Sequence, residues 1–175
     1  MEYKCIIGID PGKNGGIAVY DTYVKAVKMV DDYDKISNMF IYHLNISDNK
    51  AITFIEKVQL WKSDDKGKQF GIQKMLAHYE RLKSCLENCK MPYIEVPPVT
   101  WQSYLKLRIK GKKEESQDRK RRYKEIAQRK FEKQNIKVTL NTADALLIMN
   151  FGVNKCRYEP EYVEKNKIFK LNKLF

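Results

Sequence analysis

The chain has 175 residues, of which 43% are hydrophobic, and carries a formal net charge of +12. This length suits one domain with a sizeable core and is short for two, and the apolar content excludes wholesale disorder. No apolar run approaches the roughly 18 residues of a membrane-spanning helix, and no secretory signal stands at the start, so we expect a soluble protein without a membrane partner. A basic excess of this size favours nucleic acid as the partner over a basic protein without one.

The first part of the chain predicts three short strands joined by tight turns. An apolar run at 4–9 ends in the chain breaker Asp10-Pro11-Gly12, and strand-like segments follow at 17–20 and 23–28. The glycines before the second segment lack the spacing of a dinucleotide-binding or Walker loop, and they precede a strand rather than a helix. A tight hairpin with glycine at positive φ explains them better than a phosphate-binding loop.

Helices and strands alternate in the remainder of the chain. Apolar spacing predicts helices at 32–44 and 69–86, strands at 51–55 and 91–96, a short helix capped by Thr100, and a last helix at 141–150. This order predicts an α/β fold with a mixed sheet. No repeat or low-complexity linker divides the chain. We therefore treat residues 1–175 as a single domain with a basic C-terminal tail at 155–175.

Three carboxylates lie where separate elements end or begin. Asp10 and Glu56 end predicted strands, and Asp144 lies in the first turn of the predicted last helix. Any one of them is better explained as a helix cap or as the partner of a lysine. Three acids at element ends in a basic protein favour a site for a hard cation, because Mg²⁺ and Mn²⁺ bind oxygen ligands from several elements.

The segment 106–137 holds most of the positive charge, with fourteen Lys or Arg and only five acidic residues. Ion pairs along a solvated helix, such as Glu125 with Arg129, account for part of it. They do not account for the basic run at 119–122, which we interpret as lacking acidic partners and as following a phosphate backbone. The candidate contacts are Lys112, Lys113, Arg119, Lys120, Arg121 and Arg122.

Two tryptophans receive different interpretations. Trp61 follows Glu56 in a polar stretch, and an exposed aromatic beside a DNA site can stack on bases or wedge between them. Burial of Trp61 under a loop is an equally good interpretation, so both stay open. Trp101 is expected in the core.

Four segments of the chain form a recognisable series. They are the strand-and-glycine motif at 6–18, the strand around Glu56 at 54–58, the Val-Pro-Pro-Val-Thr-Trp segment at 96–101 and the start of the last helix at 144–148. Together, in this order over residues 3–149, they resemble the RuvC family of Holliday junction resolvases, particularly its phage-encoded members. Sugar kinases and actin-like ATPases share the first motif alone, but they need a much longer chain and a second phosphate loop.

The resemblance implies a ribonuclease H-like fold, with a mixed five-stranded sheet and helices on both faces. It also implies a homodimeric endodeoxyribonuclease that nicks four-way or branched DNA in pairs, in recombination and repair. The implied cofactor is Mg²⁺, two ions per site, for which Mn²⁺ substitutes. The implied setting is the cytoplasm of a bacterial cell or a phage-infected host.

By position, Asp10, Glu56 and Asp144 take three of the family's four catalytic and metal-binding roles. Asp10 would bridge both ions. The fourth acid of the family lies three residues before the last one, and here that position is Asn141. Asparagine is a neutral and weaker ligand, so either the chain carries an inactivating substitution, natural or introduced, or the site works with fewer charges.

Two other functions stay open. A non-cleaving protein that binds DNA junctions on the same fold is suggested by Asn141. An RNA-processing nuclease is the rival of a different class, since related folds act on RNA.

Overall fold

The computed structural model describes residues 3–59, 66–109 and 114–168. Its five-stranded sheet has the order β3-β2-β1-β4-β5. The strands are β1 Cys5–Asp10, β2 Gly16–Tyr20, β3 Val24–Lys28, β4 Ala51–Glu56 and β5 Tyr93–Val96. Strands β1, β2 and β3 pair antiparallel, whereas β4 and β5 run parallel to β1. The predicted mixed five-stranded sheet is confirmed.

Helices lie on both faces of this sheet, also as predicted. Within the described ranges they are α1 Tyr33–Ile46, α2 Lys66–Asn88, α3 Pro98–Tyr104, α4 Ser116–Lys130, α5 Ala143–Tyr158 and α6 Pro160–Asn166. Successive side chains of a strand point to opposite faces, so β1 contributes Ile6 to one apolar cluster and Ile7 to the other. The first cluster includes residues of α3 to α6, and the second includes residues of α1 and α2. No helix in these ranges is long and apolar enough to cross a membrane.

Helix α5 packs directly on the backbone of β1. A Cβ atom on Gly8 would lie 2.3 Å from the backbone nitrogen of Met149 and 2.4 Å from the carbonyl oxygen of Ala145. Gly152 makes a similar approach to the sheet, because a Cβ atom there would lie 2.5 Å from the ring of Phe54. Only glycine permits this contact, which fixes the height of α5 above the end of β1.

Two predicted helix starts are wrong, and one helix is missing from the prediction. Helix α3 begins at Pro98, so Thr100 is not its cap; proline suits the first helical position because no N–H is needed there. Helix α5 begins at Ala143, two residues later than predicted, because Thr139 and Thr142 bond to each other's backbone N–H groups in the preceding turn. The predicted element order also has no helix in the basic segment, where the structure has α4; that helix buries only a narrow stripe, Tyr123 and Ala127.

The described part of the predicted C-terminal tail, 155–168, contains regular secondary structure. Its first residue, Lys155, continues α5, α6 follows, and Ile168 forms an isolated bridge with Tyr93. Lys155 is buried, with its ammonium group 4.2 Å from the ring centre of Tyr104 and 4.6 Å from that of Tyr162. A lysine at a core position interrupts the apolar periodicity, which is why the sequence indicates a basic tail from residue 155 instead of a continued helix.

Candidate active site

The three acids suggested by the sequence lie together at one end of the sheet. Strands β1 and β4 are adjacent and parallel, so Asp10 and Glu56 end side by side at the same edge. The packing of α5 on β1 brings Asp144, in the first turn of α5, to that edge. The charge of Asp10 acts on both Glu56 and Asp144. The residues retain partial exposure at the edge, while their carboxyl groups lie deep in the surrounding protein.

Burial raises the pKa of all three carboxyl groups, and the charges of neighbouring acids raise it further for Glu56 and Asp144. Burial raises the pKa of Glu56 to about 8, with further contributions from the charges of Asp10 and Asp144. Burial, followed by the charge of Asp10, raises the pKa of Asp144 to about 7. The pKa of Asp10 is also raised by burial, although the Gly12 N–H donates to its Oδ1 at 3.1 Å. The cluster is therefore short of positive charge.

The chemistry of this cluster fits a hard divalent cation. Every candidate ligand is an oxygen, and Oδ1 of Asp144 is buried with no hydrogen-bond partner among the described residues. In residues 3–59, 66–109 and 114–168, no three Asp, Glu, His or Cys side chains are arranged so that they could hold a metal ion by themselves. A cation here would be held by few protein oxygens, with water or substrate completing its coordination, which is the usual mode for Mg²⁺.

Two glycines after β1 are required by close approach to neighbouring groups, Gly15 to Asp10 and Gly16 to the turn before α5. A Cβ atom on Gly15 would lie 2.2 Å from the carbonyl oxygen of Asp10 and 2.7 Å from its carboxyl carbon. On Gly16 it would lie 2.7 Å from the carbonyl oxygen of Asn141. The expected positive φ is wrong for both glycines, because neither has a left-handed backbone. Because these glycines have no side chains, the short loop between β1 and β2 lets β2 start directly beside Asp10 without covering its carboxylate.

Asn141 lies in the turn before α5 and not on the helix itself. The predicted helix at 141–150 would place positions 141 and 144 on one helical face, and this placement is therefore wrong. The side-chain amide nitrogen of Asn141 donates to the carbonyl oxygen of Asn14 at 2.8 Å. It thereby ties the turn before α5 to the glycine loop that follows Asp10. An aspartate at this position has no proton to donate to that carbonyl.

The basic run on α4 divides into two pairs. Arg119 and Lys120 lie close enough to the acids for their charges to lower the pKa of Asp144. The interpretation that the run lacks acidic partners is wrong for the other pair. Arg122 donates to both carboxylate oxygens of Glu114 at 2.7 Å and to the carbonyl oxygen of Leu107 at 2.9 Å. Arg121 lies 3.9 Å from Asp118.

The other predicted DNA contacts, Trp61, Lys112 and Lys113, lie outside the described residues. Trp101 is buried as expected, but the sequence did not reveal its polar contact. Its Nε1 donates to Oε2 of Glu56 at 2.7 Å. A buried indole N–H needs an acceptor. Glu56 ends β4, the strand that pairs with β5, and is therefore the acceptor that the sequence could have suggested.

Two solved structures of RuvC from Thermus thermophilus share this fold. One, in complex with a Holliday junction substrate, is 13% identical with a TM-score of 0.53, over 90% of this chain and 97% of that chain. The other is 12% identical with a TM-score of 0.54, over 95% of this chain and 99% of that chain. The chain has a RuvC-like fold. Neither the protein-family models nor the curated proteins searched give a match.

The raised carboxyl pKa values predict that the metal-free protein loses stability as pH rises. Carboxyl groups of an unfolded chain titrate near pH 4, below the folded values of Glu56 and Asp144. The folded state therefore binds more protons, and this contribution, complete below about pH 4, is lost as pH rises to about 8. Urea unfolding in EDTA should show a loss of at least about 1.4 kcal/mol, the equivalent of one pKa unit.

The control for this measurement is the double variant Glu56→Gln/Asp144→Asn. Burial lowers the pKa values of His43 and His78, so these histidines also make stability depend on pH. Subtracting the pH dependence of the double variant from that of the wild type leaves the contribution of Glu56 and Asp144. A wild type that follows the same pH dependence as the double variant would contradict the electrostatic picture of the site.

Proposed function

We propose that the protein is a divalent-metal-dependent endonuclease that cuts four-way or other branched DNA by paired nicking. The observation that carries the proposal is the buried cluster of Asp10, Glu56 and Asp144, short of positive charge and adjacent to the basic helix α4. The RuvC-like fold supports it, since one solved RuvC structure contains a Holliday junction substrate. The acids and the basic helix supply the two halves of such a site, one for metal and one for phosphate.

The proposed ligands are Asp10, Glu56 and Asp144, with Asn141 as a neutral neighbour. Bound Mg²⁺, for which Mn²⁺ substitutes, would supply an activated water and charge stabilisation for the leaving oxygen, with two ions as the proposed number. Asp10 is held by the Gly12 N–H and Glu56 by Trp101, so both carboxylates are oriented before any cation arrives. Their desolvated negative charge is what attracts the cation.

Arg119 and Lys120 are proposed to hold the phosphates beside the cut. Arg119 is exposed and Lys120 is half-buried, and both act on the acidic cluster from α4. Arg121 is an exposed further contact on the same helix, whereas Arg122 is engaged within the protein. Trp61, Lys112 and Lys113 remain proposed DNA contacts on sequence grounds. A homodimer is proposed because a four-way junction presents two symmetric cut sites.

A non-cleaving junction-binding protein is the second candidate. It is favoured by Asn141, whose amide is bonded to the glycine loop and adds no charge to the site. Binding without cutting requires the basic surface but only a weak metal site.

Cleavage of a substrate panel tests the proposal. Four-way, Y-shaped, linear duplex and RNA–DNA hybrid substrates would be incubated with Mg²⁺ or Mn²⁺, and paired nicks in the four-way junction are expected. Asp10→Asn should lower the rate at least about 100-fold, because the metal is worth several kcal/mol in the transition state. The matched control Asp48→Asn lies just before β4, and the start of β4 pairs with the start of β1 at the opposite end of the sheet from the site. Junction binding without cutting supports the second candidate, and preferred cutting of the hybrid contradicts DNA as the substrate.

The division of the basic run predicts different effects for Arg119 and Arg122. Arg119→Gln/Lys120→Gln should weaken binding to all DNA forms and reduce the slope of log affinity against log salt by about 0.9 per lost contact. Arg122→Gln should lower the thermal midpoint instead, because it leaves Glu114 without its bidentate partner. Fluorescence anisotropy over a salt series and thermal unfolding would measure both. Equal salt slopes for the two variants would contradict the assignment.

Asn141→Asp should raise Mg²⁺-dependent nicking while lowering the stability of the metal-free protein. It adds a carboxylate near the site and removes the donor to Asn14, and loss of this exposed hydrogen bond costs at most about 1 kcal/mol. Asn141→Ala is the control, since it loses the same bond without adding charge. Nicking rates and thermal midpoints in EDTA would be compared. Vigorous cutting by the wild type with no gain in the aspartate variant would exclude position 141 as a ligand.

A further inference from the structure

We propose that Trp101 is a positioning residue that holds Glu56 as a one-oxygen ligand and so favours Mg²⁺ over larger cations such as Ca²⁺. The inference rests on the proposed function, because it requires a cation at the acidic cluster. Its basis is the hydrogen bond from the indole Nε1 to Oε2 of Glu56, 2.7 Å long. No other side-chain donor to Glu56 is found among the described residues.

The indole is held in place from several sides. Trp101 is fully buried, and its ring meets that of Tyr123 edge-on with centres 5.7 Å apart. Helix α3 starts at Pro98, immediately after β5, and the Lys57 N–H donates to the carbonyl oxygen of Val96 at 2.8 Å. That bond joins the chain just after Glu56 to the chain just before α3. The donor and the acceptor are therefore carried by backbone segments that are themselves linked.

The hydrogen bond affects the two oxygens of Glu56 differently. An indole N–H is only a donor, so it competes with a cation for Oε2 and leaves Oε1 unaffected. It also fixes the rotation of the carboxylate. Mg²⁺ requires a nearly ideal octahedron of single oxygens, whereas Ca²⁺ accepts six to eight ligands and often takes both oxygens of one carboxylate. Holding one oxygen thus suits the smaller ion.

A purely structural role for Trp101 makes a different prediction. If the hydrogen bond only satisfies a buried donor, its removal should lower stability and weaken every cation alike. If the bond sets the denticity of Glu56, its removal should change the ratio of Mg²⁺ to Ca²⁺ affinity. Selectivity therefore separates the two roles.

The experiment measures Mg²⁺ and Ca²⁺ binding to DNA-free protein by titration calorimetry. Trp101 would be replaced by its sulfur isostere, benzothienylalanine, which keeps the shape of the ring and lacks the N–H. We expect Mg²⁺ affinity to fall about 10- to 100-fold, as when partners of metal ligands are removed, and Ca²⁺ affinity to fall less. The ratio of Mg²⁺ to Ca²⁺ affinity should therefore drop, by as much as about 10- to 100-fold where Ca²⁺ affinity is unchanged. Tyr123→Leu is the control, because it loosens the packing of the same indole while keeping the N–H; the ratio should not change.

Intrinsic fluorescence supplies a second readout. The chain has two tryptophans, so in a Trp61→Phe background the emission comes from Trp101 alone. Saturating Mg²⁺ should change that emission, and the change should disappear in Trp61→Phe/Glu56→Gln.

Three results would overturn the inference. An unchanged ratio in the isostere, with normal binding by the wild type, excludes the positioning role and leaves the proposed function intact. An equal loss of both ions in the isostere and in Tyr123→Leu assigns Trp101 a structural role. Absence of cation binding by the wild type refutes the proposed function and this inference with it.

Discussion

Helix α5 touches strand β1 at Gly8 without an intervening side chain, and the position of the acidic cluster depends on that contact. Any larger residue would meet the backbone of Met149 and Ala145 and lift the helix. With α5 in direct contact, Asp144 reaches the edge where β1 and β4 end in Asp10 and Glu56. The α5 residues from Ala145 to Gly152 are buried, so the helix cannot turn to move its acid outward without exposing its core. The packing of α5 on β1 thus brings three carboxyl groups together, although their burial and the repulsion between their charges are unfavourable.

That opposition is the physical reason to expect a cation. Three carboxyl groups with raised pKa values store unfavourable free energy in the folded state, and a divalent ion relieves it when it binds. The surrounding donors, the Gly12 N–H and the Trp101 indole, orient the carboxylates but do not neutralise them. Arg119 and Lys120 offset only part of the charge. Under the proposed function, a bound divalent ion would offset the remaining negative charge and allow a phosphate group to approach the carboxylates.

The sequence predicts the strands, the sheet type and the positions of the three acids, because alternating apolar runs that end in carboxylates are local patterns. It does not predict contacts between distant segments. The Glu114 partner of Arg122 lies eight residues away, beyond helical i,i+4 spacing, so the sequence alone indicates a basic run without acidic partners. The late start of α5 depends on side-chain bonds between Thr139 and Thr142, and the Trp101–Glu56 bond depends on the pairing of β4 with β5. The end of α5 is not predicted because Lys155 is a charged residue at a core position. Its aromatic partners lie on α3, α5 and α6, so the sequence around Lys155 does not show that it is buried.

The central claim is that Asp10, Glu56 and Asp144 together hold a divalent cation. Crystals of the protein soaked in Mn²⁺ test it most directly, through anomalous scattering at the manganese edge. The account predicts a peak between the three carboxylates, within a coordination distance of about 2.0–2.6 Å from oxygens of at least two of them. It also predicts that the peak disappears in crystals of Asp10→Asn. Well-ordered carboxylates with no peak at saturating Mn²⁺, or a peak that persists unchanged in that variant, would contradict it.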